Sequence, residues 1–171
     1  MVVTDHDALI AQQIPRLRRY ARALTGDRAA ADDLVQDTLE RALSRFHLWR
    51  RGSDLRAWLF TIMHNIYVNQ VRSLARHRNE ALETEPDAEM PRGRDPDWLE
   101  LRDLAGALAR VPDEQRTVLL LVGLEQFTYD EAARILDIPI GTVMSRLSRG
   151  RERLRVLLGS ETPVTSLKVV K

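Results

Sequence analysis

Arginines recur at positions 146, 149, 151, 153 and 155 within "GTVMSRLSRGRERL" (141–154) and the residue after it. A guanidinium offers a rigid fork of N–H donors that matches either a phosphate or the O6 and N7 edge of guanine. At helical spacing Val143, Leu147 and Leu154 point inward, leaving Thr142, Ser145, Arg146, Arg149 and Arg153 on outer faces. Arg146 and Arg149 are placed to bond guanine, and Arg151, Arg153 and Arg155 to meet phosphates. The chemistry this implies is recognition of nucleic acid. Catalysis finds little support elsewhere. His6, His47, His64 and His77 are scattered without metal-ligand spacing, and the chain has no Gly-rich phosphate loop or nucleophile elbow. With no cysteine, thiolate sites, disulfides and Cys nucleophiles are excluded. No enzyme activity, cofactor or metal is therefore expected.

The basic segment needs a partner to aim it. Just before it, Thr128 followed three residues later by Glu131 forms a capping box. Ala132, Ala133, Ile135 and Leu136 then give a short helix a small, apolar inner face, so that a second helix can approach closely. A break at Ile138-Pro139 completes a helix-turn-helix, in which the second helix enters the major groove. Thr142 is expected to cap that helix and meet a phosphate at its positive end. Asp137 stands where such turns commonly carry Gly. Gly150 is expected to loosen the last turns, by about 1 kcal/mol relative to Ala.

Further back, almost everything reads as helix. Leu9, Ile10, Ile14, Leu17, Tyr20, Ala21 and Leu24 recur at helical spacing, with a kink or a fresh start expected near Pro15. Gly26 suits a helix end and Asp27 the next N-cap. Over 28–48, Leu34, Val35, Leu39, Ala42, Leu43 and Phe46 form one face, and Asp33, Gln36, Asp37, Glu40 and Arg41 the other. "WRRGSD" (49–54) breaks the pattern before a long helix over 53–78. Its apolar stripe is Leu55, Trp58, Leu59, Ile62, Met63, Ile66 and Leu74. Residues 79–96 lose the periodicity and are rich in acids and proline, as a flexible linker would be. Helices near 97–110 (Trp98, Leu101, Leu104, Leu108), 113–124, 128–137 and 140–158 follow, and the tail 160–171 looks frayed. The fold class is all-α: two small helical domains, 5–78 and 97–159, joined by a flexible acidic linker.

Composition allows this. Of 171 residues 44% are hydrophobic, enough for real cores, and 26 basic side chains nearly balance 25 acidic ones. Net charge thus names no partner, and only the charge distribution can. No apolar run approaches the roughly 18 residues that span a bilayer, and the first residues lack a signal-peptide pattern. A cytoplasmic protein without membrane insertion is expected.

Three stretches, in order, carry a resemblance: "LRRYARALTGDRAAADDLVQDTLERAL" (17–43), "LRAWLFTIMHNIYVNQVR" (55–72) and "VPDEQRTVLLLVGLEQFTYDEAARILDIPIGTVMSRLSRGRERL" (111–154). Together they resemble the group IV, or extracytoplasmic-function, sigma factors of bacterial RNA polymerase. The resemblance implies a sigma region 2 helical bundle (5–78) and a region 4 helix-turn-helix domain (97–159). It implies that Asp33, Gln36, Asp37 and Glu40 dock on the clamp helices of core polymerase. "WRRGSDLRAW" (49–58) matches the loop that cradles an unstacked base of the melted non-template strand. Trp49, Arg50, Arg51, His64, Asn65, Asn69, Arg72 and Arg76 would then serve the −10 element. Stacking and edge hydrogen bonds for an expelled base make duplex opening easier. Trp58, on the apolar stripe, belongs to the core instead. Thr142, Ser145, Arg146, Arg149 and Arg153 would serve double-stranded promoter DNA at the −35 element. Met144 departs from the basic residue many relatives carry.

The resemblance also implies promoter recognition and transcription initiation for a stress- or signal-responsive regulon, under an anti-sigma protein. Two other readings compete. One is a helix-turn-helix regulator that uses only the second domain, against which the full first-domain pattern argues. The other is a sigma mimic that titrates an anti-sigma protein; such mimics usually carry a receiver domain, which is not expected here.

Overall fold

The computed structural model describes residues 5–80 and 96–159, so most of the acidic linker and the whole tail lie outside the described residues, as do the side chains of Trp98 and Leu101. Every regular element among the described residues is a helix: α1 (Asp5–Ala11), α2 (Ile14–Thr25), α3 (Arg28–Ser44), α4 (Leu55–Glu80), α5 (Pro96–Ala109), α6 (Asp113–Leu119), α7 (Tyr129–Leu136) and α8 (Ile140–Leu157).

Local chemistry sets the breaks. Pro15 falls in the first turn of α2, where its missing N–H has no partner to lose. The chain therefore restarts there and does not kink. Gly26 closes α2 at φ +70°, a left-handed conformation that costs glycine nothing. Asp27 caps α3 by accepting from the Ala30 amide at 2.8 Å. Asp54 caps α4 likewise, accepting from the amides of Arg56 (2.8 Å) and Ala57 (3.3 Å). Between them a 3-10 turn, Phe46–Leu48, leads into the 49–54 loop.

In the first domain α2, α3 and α4 bury Leu17, Tyr20, Leu24, Leu34, Leu59, Phe60 and Met63. Tyr20 and Phe60 meet edge to face, 5.0 Å between centroids. Three positions of the expected apolar faces lie outside: Leu9 is 41% exposed, Leu43 50% and Leu74 68%. Leu43 falls at the end of α3, and Leu74 lies on α4 past the last residues that α2 and α3 cover, so no packing partner reaches either.

In the second domain α6, α7 and α8 close around Val118, Leu121, Phe127, Ala132, Ile135, Val143 and Leu147. After Leu119 the helix widens into a π-helical segment, Leu120–Leu124, with the Glu125 amide bonded to the Leu120 carbonyl at 3.0 Å. Such segments often mark functional sites. Gln126 then turns left-handed at φ +58°. Together these swing Glu125 and Phe127 out of the helical path toward the first domain.

The two domains dock on each other. Phe127 packs edge to face on Phe60 at 5.2 Å, beneath the Arg56 guanidinium at 3.9 Å. Arg116 donates to the Tyr67 hydroxyl at 3.1 Å and pairs with Asp113. Burial raises the Tyr67 pKa, with the Arg116 charge opposing it. The buried residues form one continuous cluster across both domains.

Candidate nucleic-acid interface

The helix-turn-helix is built as its sequence implies. Thr128 Oγ1 accepts from the Glu131 amide at 3.3 Å, and the Glu131 carboxylate accepts from the Thr128 amide at 2.8 Å. That backbone bond is the main cause holding the Glu131 pKa below the usual carboxylate value. Asp137 takes the left-handed turn position at φ 52°, a conformation Asp can adopt by local hydrogen bonding. Val143, Leu147 and Leu154 face inward from α8.

Gly150 proves to be a packing residue. A Cβ there would lie 3.0 Å from Cγ and Cδ1 of Leu119 and 3.3 Å from Cβ of Gln115. The glycine lets α8 press onto α6, so a close approach offsets what the helix gives up in propensity there.

Two expectations for α8 are corrected. Thr142 does not cap the helix. The cap position is Pro139, whose carbonyl accepts from the Thr142 amide at 2.9 Å, because the proline ends the turn and the helix begins at Ile140, ahead of the threonine. The open amides at the positive end are accordingly those of Ile140 and Gly141. Nor does Arg146 stand on an outer face. It leans over α6 to the Glu114 carboxylate at 2.9 Å, with its side chain 24% exposed. Ser145, Arg149 and Arg153 remain exposed. Arg149 bonds back to the Ser145 carbonyl and hydroxyl, both at 3.3 Å, which braces its guanidinium along the helix. Arg155 is held by Glu152 at 2.7 Å.

On the first domain, Asn65, Asn69, Arg72 and Arg76 are exposed and recur at three- and four-residue spacing along α4, forming one polar stripe. His64 is half-buried beside this stripe. Burial lowers its pKa, and the Arg146 charge lowers it further. His64, Arg72, Glu114 and Arg146 line a common cleft of about 420 Å³ between α4 and the second domain. Arg50 and Arg51 project from the loop, Arg51 within 3.2 Å of His6 Nε2. Trp49 packs against Phe46, 5.2 Å between centroids, and Trp58 reaches the same ring edge to face at 6.1 Å. Trp58 belongs to the packed layer, as its stripe position implies.

Asp33, Gln36, Asp37 and Glu40 share the exposed face of α3. Gln36 bonds Glu40 at 3.0 Å, and Gln70 of α4 bonds Asp37 at 3.1 Å. Among the described residues no cluster of His, Asp or Glu could hold a metal, and no helix is long and apolar enough to cross a membrane.

Comparison with known proteins agrees with this geometry. Residues 10–64 match the Sigma2 domain of PhyR, and residues 101–154 match Sigma-70, region 4. The extracytoplasmic-function (ECF) RNA polymerase sigma factor EcfG of Rhodopseudomonas palustris is 38% identical, over 92% of this chain and 88% of that protein. The chain belongs to the ECF sigma factors. The factor SigL of Mycobacterium tuberculosis is 36% identical, over 88% of this sigma factor and 87% of SigL. Among solved structures, the sigma factor RpoE from Bartonella quintana, in complex with the anti-sigma factor NepR, superposes with a TM-score of 0.82 at 36% identity. That match covers 94% of this chain and all of the other.

Sequence reasoning missed the residues that join the two domains of this sigma factor. Arg19, Arg56, Tyr67, Arg116, Glu125 and Phe127 meet there, and none stood out by periodicity. One signal was present: Arg116 and Glu125 are the charges that directly flank the apolar run "TVLLLVGL" (117–124). A charge held that close to a core is usually paired.

Proposed function

We propose that this sigma factor binds core RNA polymerase through Asp33, Gln36, Asp37 and Glu40, and reads promoters with both domains. In this reading residues 5–78 form the unit that takes the −10 element and the displaced non-template strand. Trp49, Arg50, Arg51, His64, Asn65, Asn69, Arg72 and Arg76 are its contacts. Residues 97–159 form the −35 reader, with Thr142, Ser145, Arg149 and Arg153 toward the duplex and Arg146 joining them once released from Glu114. The 79–96 linker lets the two readers span the promoter. The protein acts by binding, not catalysis, and works in the cytoplasm where the polymerase is.

The observation that carries this reading is the pairing, in one chain, of two exposed donor arrays on helices of different domains. The α4 stripe suits an opened strand, and the start of α8 suits a major groove. An anti-sigma partner is part of the proposal, supported by the likeness to the Bartonella quintana sigma factor in complex with NepR. Transcription in vitro with purified core polymerase tests it. The protein should direct initiation from a cognate promoter, and an anti-sigma protein should abolish it.

A second reading has one specific observation in its favour. The first domain matches the Sigma2 domain of PhyR, and PhyR from Bartonella quintana is described as an anti-anti-sigma factor. A protein of that kind would bind the anti-sigma protein and leave core polymerase silent at every promoter.

A further inference from the structure

The seam between the domains holds a fully buried carboxylate. Glu125 has a side-chain exposure of 0%. Arg19 donates to its Oε1 from Nε at 3.1 Å and from Nη2 at 2.8 Å. Arg16 stands 4.0 Å from Oε2. Arg56 donates to the Glu125 backbone carbonyl at 3.1 Å and covers the Phe127 ring. All three arginines belong to the first domain, and the second domain delivers Glu125 to them after the π-helical segment, its carboxylate to Arg19 and Arg16 and its backbone carbonyl to Arg56.

Burying a carboxylate is costly unless charge and hydrogen bonds compensate it. Here the compensation is incomplete: Oε2 is buried without a hydrogen-bond partner among the described residues. Meanwhile the Arg16 and Arg19 side chains are 48% and 53% exposed. The arginine site is thus open to solvent on one side. The Arg19 fork on one carboxylate oxygen, with the Arg16 charge beside the other and the Arg56 guanidinium on the adjacent carbonyl, suits a phosphate diester as well as a carboxylate. Arg56 lies in the first turn of α4, directly after the loop assigned to the displaced strand. The closed arrangement also draws nucleic-acid-facing residues together, since His64 and Arg72 of the first domain line one cleft with Arg146 of the second.

We propose that Glu125 is a phosphate surrogate. It occupies an arginine site, made by Arg16, Arg19 and Arg56, that otherwise takes a backbone phosphate of single-stranded DNA, and so latches the sigma factor closed. This rests on the reading of the first domain as the strand-binding one. The exchange is nearly balanced, because one singly charged oxyanion replaces another. A tethered carboxylate competes as an intramolecular ligand at an effective concentration on the order of millimolar. A ligand that needs the open state is weakened by the fraction of molecules that are closed. Weak strands therefore lose to Glu125, and a strand presented by the polymerase displaces it.

The chain has no cysteine, so Ala30→Cys and Val156→Cys, both exposed, can carry a fluorescent pair that reports separation of the domains. Strand binding is read separately by anisotropy of a labelled oligothymidylate of about twelve nucleotides. In the full chain, Glu125→Gln should increase the separation and tighten oligothymidylate binding by about tenfold. Arg19→Ala, on an exposed helix face, should also open the chain but bind the strand no better than the parent. The proposal is overturned if neither substitution opens the chain, or if Glu125→Gln opens it without tighter binding. It is equally overturned if Arg19→Ala binds as tightly as Glu125→Gln. Promoter-directed transcription by the parent protein is measured alongside, so loss of the latch and loss of the sigma function give different results.

Discussion

Gly150→Ala sets two magnitudes of opposite sign against each other. Gly150 sits inside α8 with helical backbone, so an alanine there meets no conformational strain, and helix propensity alone favours it by about 1 kcal/mol. The new methyl, however, would lie 3.0 Å from both Cγ and Cδ1 of Leu119 and 3.3 Å from Cβ of Gln115. Relaxed carbon contacts lie at about 3.5–4.0 Å. A terminal methyl could rotate aside, but Cγ is the branch atom of a leucine buried on α6, and Gln115 Cβ is fixed to its backbone. The helices must therefore separate by several tenths of an ångström. Overpacking of this kind costs about 1–3 kcal/mol. The net expectation is a loss of roughly 1 kcal/mol, or about 2–4 °C in Tm for a chain of this size.

Urea denaturation of the full chain measures the loss, and a double-mutant cycle identifies its cause. In a Leu119→Ala background the clash disappears, so Gly150→Ala should become neutral or stabilising, with a coupling energy of about 1–2 kcal/mol. If Gly150→Ala stabilises the parent by the full propensity gain and shows no coupling to Leu119, the close-approach argument is wrong.

The other expectations are briefer. Thr128→Ala removes the capping box and should cost about 1 kcal/mol in the same urea assay, and an unchanged midpoint would show that the box carries no stability. Asp33→Arg with Asp37→Arg, both exposed, should cut affinity for core polymerase with stability held within about 0.5 kcal/mol; undiminished core binding would remove α3 from the docking face. Arg146→Ala should weaken discrimination at the −35 element by about 1–3 kcal/mol if the released guanidinium reads a base, so an unchanged preference among promoter variants counts against that role. The folded pKa of His64 lies below its ordinary value of 6.5, chiefly through burial and then through Arg146. The unfolded chain therefore takes up the proton first, and the stability this group contributes above pH 6.5 is lost as pH falls toward the folded pKa. His64→Gln should flatten Tm against pH across that window, and an unaltered slope would show that another group carries it.

The helices were legible because their causes are local. Asp27, Asp54 and the Thr128–Glu131 pair mark starts within a few residues of what they cap, and the buried positions of α2, α7 and α8 follow a 3.6-residue period. The errors share one origin: a face read from periodicity does not say where its neighbour ends. Leu43 and Leu74 continue the period beyond the partner helices. Arg146 lies at an outward angle on α8 but is long enough to reach Glu114 on α6. Thr142 has the hydroxyl that favours a cap, but Pro139 already fixes the start of the helix. The candidate interface was legible as residue types, since Asn65, Asn69, Arg72 and Arg76 do share a stripe. The docking of the domains was not legible. It depends on one added residue per turn in the π-helical segment and on one left-handed residue, Gln126, and no residue type announces either.

The near-neutral net charge of +1 acquires a physical meaning at this point. It does not reflect a uniform mixture of charges, because several arginines of this sigma factor are matched to acids across long stretches of sequence. Arg19 pairs with Glu125 over 106 residues, and Arg146 of α8 pairs with Glu114 of α6. In the closed chain these cations are partly neutralised before any DNA arrives, so their phosphate contacts must be made by exchange. Exchange of one anion for another releases fewer counterions than fresh neutralisation does. The salt dependence of strand binding should thus be shallower for the closed protein than for Glu125→Gln, in which the arginines must shed bound anions as the strand arrives. An equal slope of log affinity against log salt in the two proteins would mean that Arg16, Arg19 and Arg56 are not where the strand binds, whatever the domains do.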